Sequence, residues 1–120
     1  MKSLLLVDDE PLVTDSLKHI FEHKGYLVYG CYDGEEAIEI IDNGFRFGLA
    51  VIDVSLAGSA VSGSDVIKYI REKSPKTFII CNSGYAGEEY EPAGANVCLV
   101  KPTSVEEFES YFSRFYPEDF

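Results

Sequence analysis

The sequence predicts a doubly wound parallel α/β domain, five strands alternating with helices. Three observations carry this. Apolar, β-rich runs alternate with helix-period segments along all 120 residues. The run Leu49-Ala50-Val51-Ile52 is apolar on both faces, as a central strand covered by helices on each side must be. Asp8, Asp9, Asp53, Ser83 and Lys101 each stand at or just past the end of an apolar run, the edge where such sheets gather ligands.

A first strand is expected over residues 3–8, around Leu4-Leu5-Leu6-Val7. Pro11 has no amide hydrogen to lose and suits the first turn of a helix running to about Lys24, which Gly25 stops. Residues 26–32 are β-rich. Asp33-Gly34-Glu35-Glu36 has the spacing of a capping box and opens a helix through Asn43, ended by Gly44. Residues 47–53 make the most apolar strand. A Gly/Ser/Ala-rich loop over 55–63 leads to a helix opened by Ser64 or Asp65, which ends at Lys73 before Ser74-Pro75. Strands follow at 77–82 and 97–100, the latter broken by Lys101-Pro102. Ser104-Val105-Glu106-Glu107 is a second capping box, and Val105, Phe108, Phe112 and Phe115 recur on the sheet-facing side of the last helix. Between Ser83 and Lys101, Gly84, Gly87, Gly94 and Pro92 oppose a regular helix, so a shortened or irregular fourth helix is expected, at best one turn around 88–91.

One hydrophobic core is all that a chain of this length can build. The expected organisation is one domain over residues 1–120, with no second, effector domain. No apolar stretch approaches membrane-spanning length, so a cytoplasmic location without membrane contact is expected. Cys31, Cys81 and Cys98 are odd in number and lie in apolar patterns, reading as small buried hydrophobes of a reducing compartment. His19 and His23 share a helix face without a third ligand, which favours a solvated face over a zinc site. A net charge of −11 and a pI near 4.4 argue against nucleic-acid binding and for a protein partner.

Adjacent carboxylates at a buried strand end resist ionising together unless a cation holds them. Asp8 and Asp9 with Asp53 therefore point to a hard divalent metal with oxygen ligands, Mg²⁺ first among them. The plainer reading is that these residues punctuate strands and cap the next helix.

Val7-Asp8-Asp9-Glu10-Pro11, Asp53 in Val-Ile-Asp-Val, Gly63, Ser83-Gly84 and Lys101-Pro102, in this order, resemble the receiver domain of bacterial two-component response regulators, in its single-domain, chemotaxis-type form. The resemblance covers the whole chain. It implies a flavodoxin-like fold with strand order 2-1-3-4-5 and a phosphorylatable switch rather than an enzyme. Asp53 would be the phosphoacceptor, attacking a phosphohistidine on a sensor histidine kinase or a histidine phosphotransfer protein. Asp9 and Asp53, Asp8 through water and the Ser55 backbone carbonyl would hold Mg²⁺, while Lys101 supplies a second cation to the phosphoryl oxygens. Ser83 would donate its hydroxyl to the phosphoryl group and Gly84 would leave it room. The Lys101-Pro102 peptide is expected to be cis.

The pattern is broken in three places. The loop after Asp53 is longer than usual, with the customary proline replaced within Leu56-Ala57-Gly58. The segment from Ser83 to Lys101 is shorter by about one helical turn. Cys98 stands where the family's signalling aromatic is expected, and it is too small to act as that ring. The standard output and dimer face is therefore expected to be altered. Tyr85 and Ser55 would line the path of a hydrolytic water. Tyr111 or Tyr116, with Phe120, would form a docking or homodimer surface.

The leading function is a phosphorylatable receiver acting on an unknown downstream protein. A degenerate receiver, acting without phosphate as an interaction module, is the first alternative. A phosphatase with an aspartyl nucleophile fits less well, because such enzymes space nucleophile and acid two residues apart and Asp8-Asp9 are adjacent. A flavin site fits poorly too, since two carboxylates would repel the cofactor's phosphate.

Overall fold

The computed structural model describes residues 1–84 and 93–120. Strands β1 (Ser3–Val7), β2 (Leu27–Cys31), β3 (Leu49–Asp53), β4 (Phe78–Ser83) and β5 (Val97–Val100) form one parallel sheet in the order β2-β1-β3-β4-β5. The described helices are α1 (Pro11–His23), α2 (Gly34–Asp42), α3 (Gly63–Lys73) and α4 (Val105–Phe115). The order reverses between β1 and β3, which pair directly with Val7 opposite Ile52. Asp8 and Asp53, the next residues along, therefore leave the sheet side by side at the switch point.

Side chains alternate across a strand, so β1 and β3 serve two layers at once. Leu5, Val7, Ala50 and Ile52 pack with Ala37 and Ile41 of α2 and Val66, Ile67 and Ile70 of α3. Leu4, Leu6, Leu49 and Val51 pack with Phe21 of α1 and Phe108 and Phe112 of α4. Each fully buried Val, Leu, Ile or Phe among them is worth about 1.5–3 kcal/mol relative to exposure, and the close packing makes the site's floor stiff.

Most boundaries match the sequence expectation within a residue or two. Asp33 accepts from the Glu36 amide at 2.8 Å, while the Glu36 carboxylate reaches back to the Tyr32 amide rather than to Asp33. The helix expected from Ser64 or Asp65 starts earlier: Ser62 is the cap of α3, in a reciprocal box with Asp65. The Gly63 amide donates to the Val54 carbonyl, so the helix begins as soon as the chain touches the end of β3. β4 extends through Ser83, because β5 pairs as far as Val100 and Lys101 donates its amide to the Ser83 carbonyl at 2.7 Å. The turn expected at 88–91, and with it the fourth helix, lies outside the described residues, as does Tyr85.

On α4, Phe108 and Phe112 are buried, and Phe115 stacks on Phe78 with ring centroids 5.0 Å apart. Tyr116 is used by the fold itself. Its hydroxyl accepts from the Ser3 amide at 3.0 Å, and its ring lies against Gly48, where a β-carbon would come within 2.5 Å. His19 and His23 are exposed, and the one group of three metal-ligating side chains found among the described residues is elsewhere.

Candidate functional site

Each acidic residue is placed by the strand behind it. The Asp8 amide donates to the Cys31 carbonyl on β2, and the buried Thr14 hydroxyl donates to the Asp8 carbonyl at 2.8 Å. The side chain does two things. Oδ1 accepts from the Glu10 amide at the start of α1, so the plain capping reading is partly correct, and Oδ2 turns inward. Asp53 is divided in the same way: Oδ1 accepts from the Ser55 amide at 3.0 Å and Oδ2 from the Lys101 ammonium.

Lys101 closes the arrangement. Its ammonium lies 2.7 Å from Asp8 Oδ2 and 3.0 Å from Asp53 Oδ2. Oxygens of Asp8, Asp9 and Asp53 lie within 4.8 Å of one another, Asp8 and Asp53 buried and Asp9 half-buried. Asp9, Glu10, Asp53, Ser55, Gly84 and Lys101 line a cleft of about 380 Å³ in front of them. Burial pushes the Asp53 carboxyl up from its usual range, although Lys101 and the Ser55 amide pull the other way. Burial disfavours the Lys101 ammonium, but its hydrogen bonds to Asp8 and Asp53 outweigh this and hold it above the usual lysine range.

The donor set suits a hard cation, being oxygen only and preassembled. Three carboxylates less one ammonium leave two negative charges, which a divalent ion balances. The Ser55 amide is the part of that residue seen to touch Asp53.

Of the remaining expected residues, Ser83 is buried at the end of β4. Gly84 lines the cleft, and no described atom lies within 4 Å of where its β-carbon would stand. The Lys101-Pro102 peptide is cis. Cys98 is half-buried against the layer formed with α2 and α3. Cys31 is fully buried, and burial, with Glu36 and Asp33 adding, pushes its thiol up to about 12. Gly63, noted in the sequence only as part of a motif, packs its α-carbon onto the Asp53 backbone. Asn82 and Thr103 were not singled out by sequence reasoning, yet they hold the segment that carries Lys101. The available signal was a polar amide at a position of β4 that the alternation assigns to the core.

No described helix is long and apolar enough to cross a membrane. The model of the response regulator receiver domain matches residues 4–112. Transcriptional regulatory protein CrdR of Helicobacter pylori is 29% identical over 98% of this chain and 56% of its own length. ComA of Bacillus subtilis is 31% identical over 92% of this chain and 54% of its own. The chain thus spans about half the length of the curated relatives it matches. Among solved structures, a CheY-like receiver domain protein from Methanospirillum hungatei superposes with a TM-score of 0.85 at 29% identity, covering 94% of this chain and 91% of that one. Response regulator TrrA from Thermotoga maritima, solved in complex with Mg²⁺-BeF, superposes with a TM-score of 0.80 at 28% identity over 96% and 99% of the two chains. The sheet order, the acidic corner at its switch point and these likenesses have one common explanation: this chain belongs to the response regulator receiver domain family.

Proposed function

We propose that this receiver is phosphorylated on Asp53 by a sensor histidine kinase or a histidine phosphotransfer protein, with Mg²⁺, and passes the signal on by changing shape. The supporting observation is the position of Lys101, which bridges Asp8 and Asp53 beside Asp9. The inward Oδ2 of Asp53 is the nucleophile: it bonds to phosphorus as the P–N bond of the donor breaks and the imidazole leaves with its electron pair. Lys101 is positioned to transfer one of its hydrogen bonds from Asp53 to the incoming phosphoryl oxygens. Asp9 and Asp53, with Asp8 and the Ser55 carbonyl, are the residues that would hold Mg²⁺, whose contribution is to neutralise phosphoryl charge. Ser83 follows by donating its hydroxyl to the phosphoryl group, in the space beside Gly84.

The role is that of a switch in the cytoplasm, ending in the slow hydrolysis of its own acyl phosphate. Cys98 favours one further reading, a degenerate receiver that needs no phosphate, because the position offers no ring to turn inward. Intact mass after incubation with Mg²⁺ and acetyl phosphate separates the two. The expected result is one added phosphoryl group, lost with EDTA and lost in Asp53→Asn; an unchanged wild-type mass supports the degenerate module instead.

A further inference from the structure

We infer that Asn82 is a positioning residue for Lys101, acting through Thr103. The inference rests on the phosphoacceptor reading above. Asn82 is the next-to-last residue of β4, 6% exposed, on a strand otherwise apolar up to that point. It pairs with Asp53 on one side and with Leu99 on the other, so it sits on the strand between the nucleophile and the lysine-bearing segment.

A buried amide costs free energy unless it is hydrogen-bonded, and an apolar side chain would fill this place more cheaply. The Asn82 amide nitrogen makes two hydrogen bonds among the described residues, one to the chain on each side of Lys101. Nδ2 donates to the Leu99 carbonyl at 3.1 Å and to Thr103 Oγ1 at 2.8 Å. A carbonyl can only accept, which fixes the amide's orientation. Thr103 then donates its own hydroxyl to the Val100 carbonyl at 3.2 Å. The segment from Leu99 to Thr103 is thereby tied at both ends to one side chain, with Lys101 between them. The Ser83 carbonyl adds a third tie, to the Lys101 amide.

The last two residues of β4 thus divide the work. Ser83 is the hydroxyl donor of the proposed switch, and Asn82 anchors the cation that shares its target. A shift of the end of β4 toward the phosphoryl group would carry the lysine turn with it. A second cleft, of about 410 Å³, opens on this side between the turn and α1, lined by Leu12, Val13, Leu17, Asn82, Pro102 and Thr103 among others. With open space beside it, the turn depends on the Asn82 and Thr103 bonds rather than on close packing.

Thr103→Val is the test substitution, since it keeps the shape of a half-buried side chain and removes only its hydrogen bonds. In Mg²⁺ and acetyl phosphate, Thr103→Val and Asn82→Leu should each slow phosphorylation about tenfold, because misplacing a charged group by a fraction of an ångström has effects of this order. Thr103→Ser should restore the wild-type rate, and Mg²⁺ affinity should stay within about twofold of wild type, since no metal-site carboxylate is touched. In a Lys101→Ala background, Thr103→Val should have no further effect, whereas a general loosening of the fold would add to it. Wild-type rates in both single variants, or full additivity with Lys101→Ala, overturn the positioning role and leave the phosphoacceptor reading intact. A wild-type protein that takes up no phosphoryl group at all overturns both.

Discussion

A β-carbon at Gly63 would stand 1.9 Å from the carbonyl oxygen of Asp53. The residue that starts α3 and the residue that ends β3 therefore touch backbone to backbone, and the orientation of Asp53 depends on that contact. The clash in Gly63→Ala is with main chain, which cannot swing aside, so α3 would have to lift from the sheet. We expect a loss of about 3 kcal/mol in urea unfolding, the upper part of the range for overpacking. Stability within experimental error of wild type would show that the helix start adapts freely.

The raised pKa of Asp53 implies a pH-dependent cost. A carboxyl that holds its proton more tightly when folded favours the folded state at low pH. That advantage disappears as pH rises from the ordinary carboxylate range, about 4, through the raised folded value. In metal-free buffer, wild type should therefore lose stability relative to Asp53→Asn over this interval, and the variant should be the more stable protein at pH 7. Parallel stability curves from pH 3 to 7 would refute this.

Lys101 is the counter-charge for two carboxylates whose side chains are 10% and 7% exposed. Lys101→Met should cost about 2 kcal/mol without metal, less than for a fully buried pair because the ammonium keeps contact with water. At one common free Mg²⁺ concentration, about a hundred times the wild-type dissociation constant, wild type should gain about 2.7 kcal/mol and the variant, whose uncompensated carboxylates bind the ion more tightly, should gain more. Thermal melting with EDTA and with stepped Mg²⁺ reads this directly; an identical gain in both proteins counts against the shared charge balance.

Tyr116 ties the end of α4 to the first strand through the Ser3 amide. Tyr116→Phe should lower stability by about 1 kcal/mol, the usual worth of one partly buried hydrogen bond. Sedimentation should find its oligomeric state the same as wild type, because the ring is committed inside the protomer. A change in association on this substitution would return Tyr116 to the surface role expected from sequence.

Much of this is legible in the sequence. Alternating apolar runs, Pro11, Asp33 and Ser104 mark where elements begin because their causes are local: side-chain period, a missing amide hydrogen, a carboxylate or hydroxyl three residues from an orphan N–H. The local pattern places the start of α3 one or two residues late because the cause of that start is not local. Ser62 is the cap because Gly63 must meet Asp53, a contact invisible in the local pattern.

The layers, the strand ends and the charged residues that stand at them are written in short stretches of the chain, since burial period and capping chemistry act over a few residues. It takes the assembled fold to set Asp8 Oδ1 on a backbone amide and Oδ2 on Lys101, to turn Tyr116 inward, and to bring Asn82 to the turn beyond β5. Each of these is a choice among several partners of equal chemistry. Such choices are made by distances between chain segments, which sheet pairing and helix packing set and which no short stretch of residues contains.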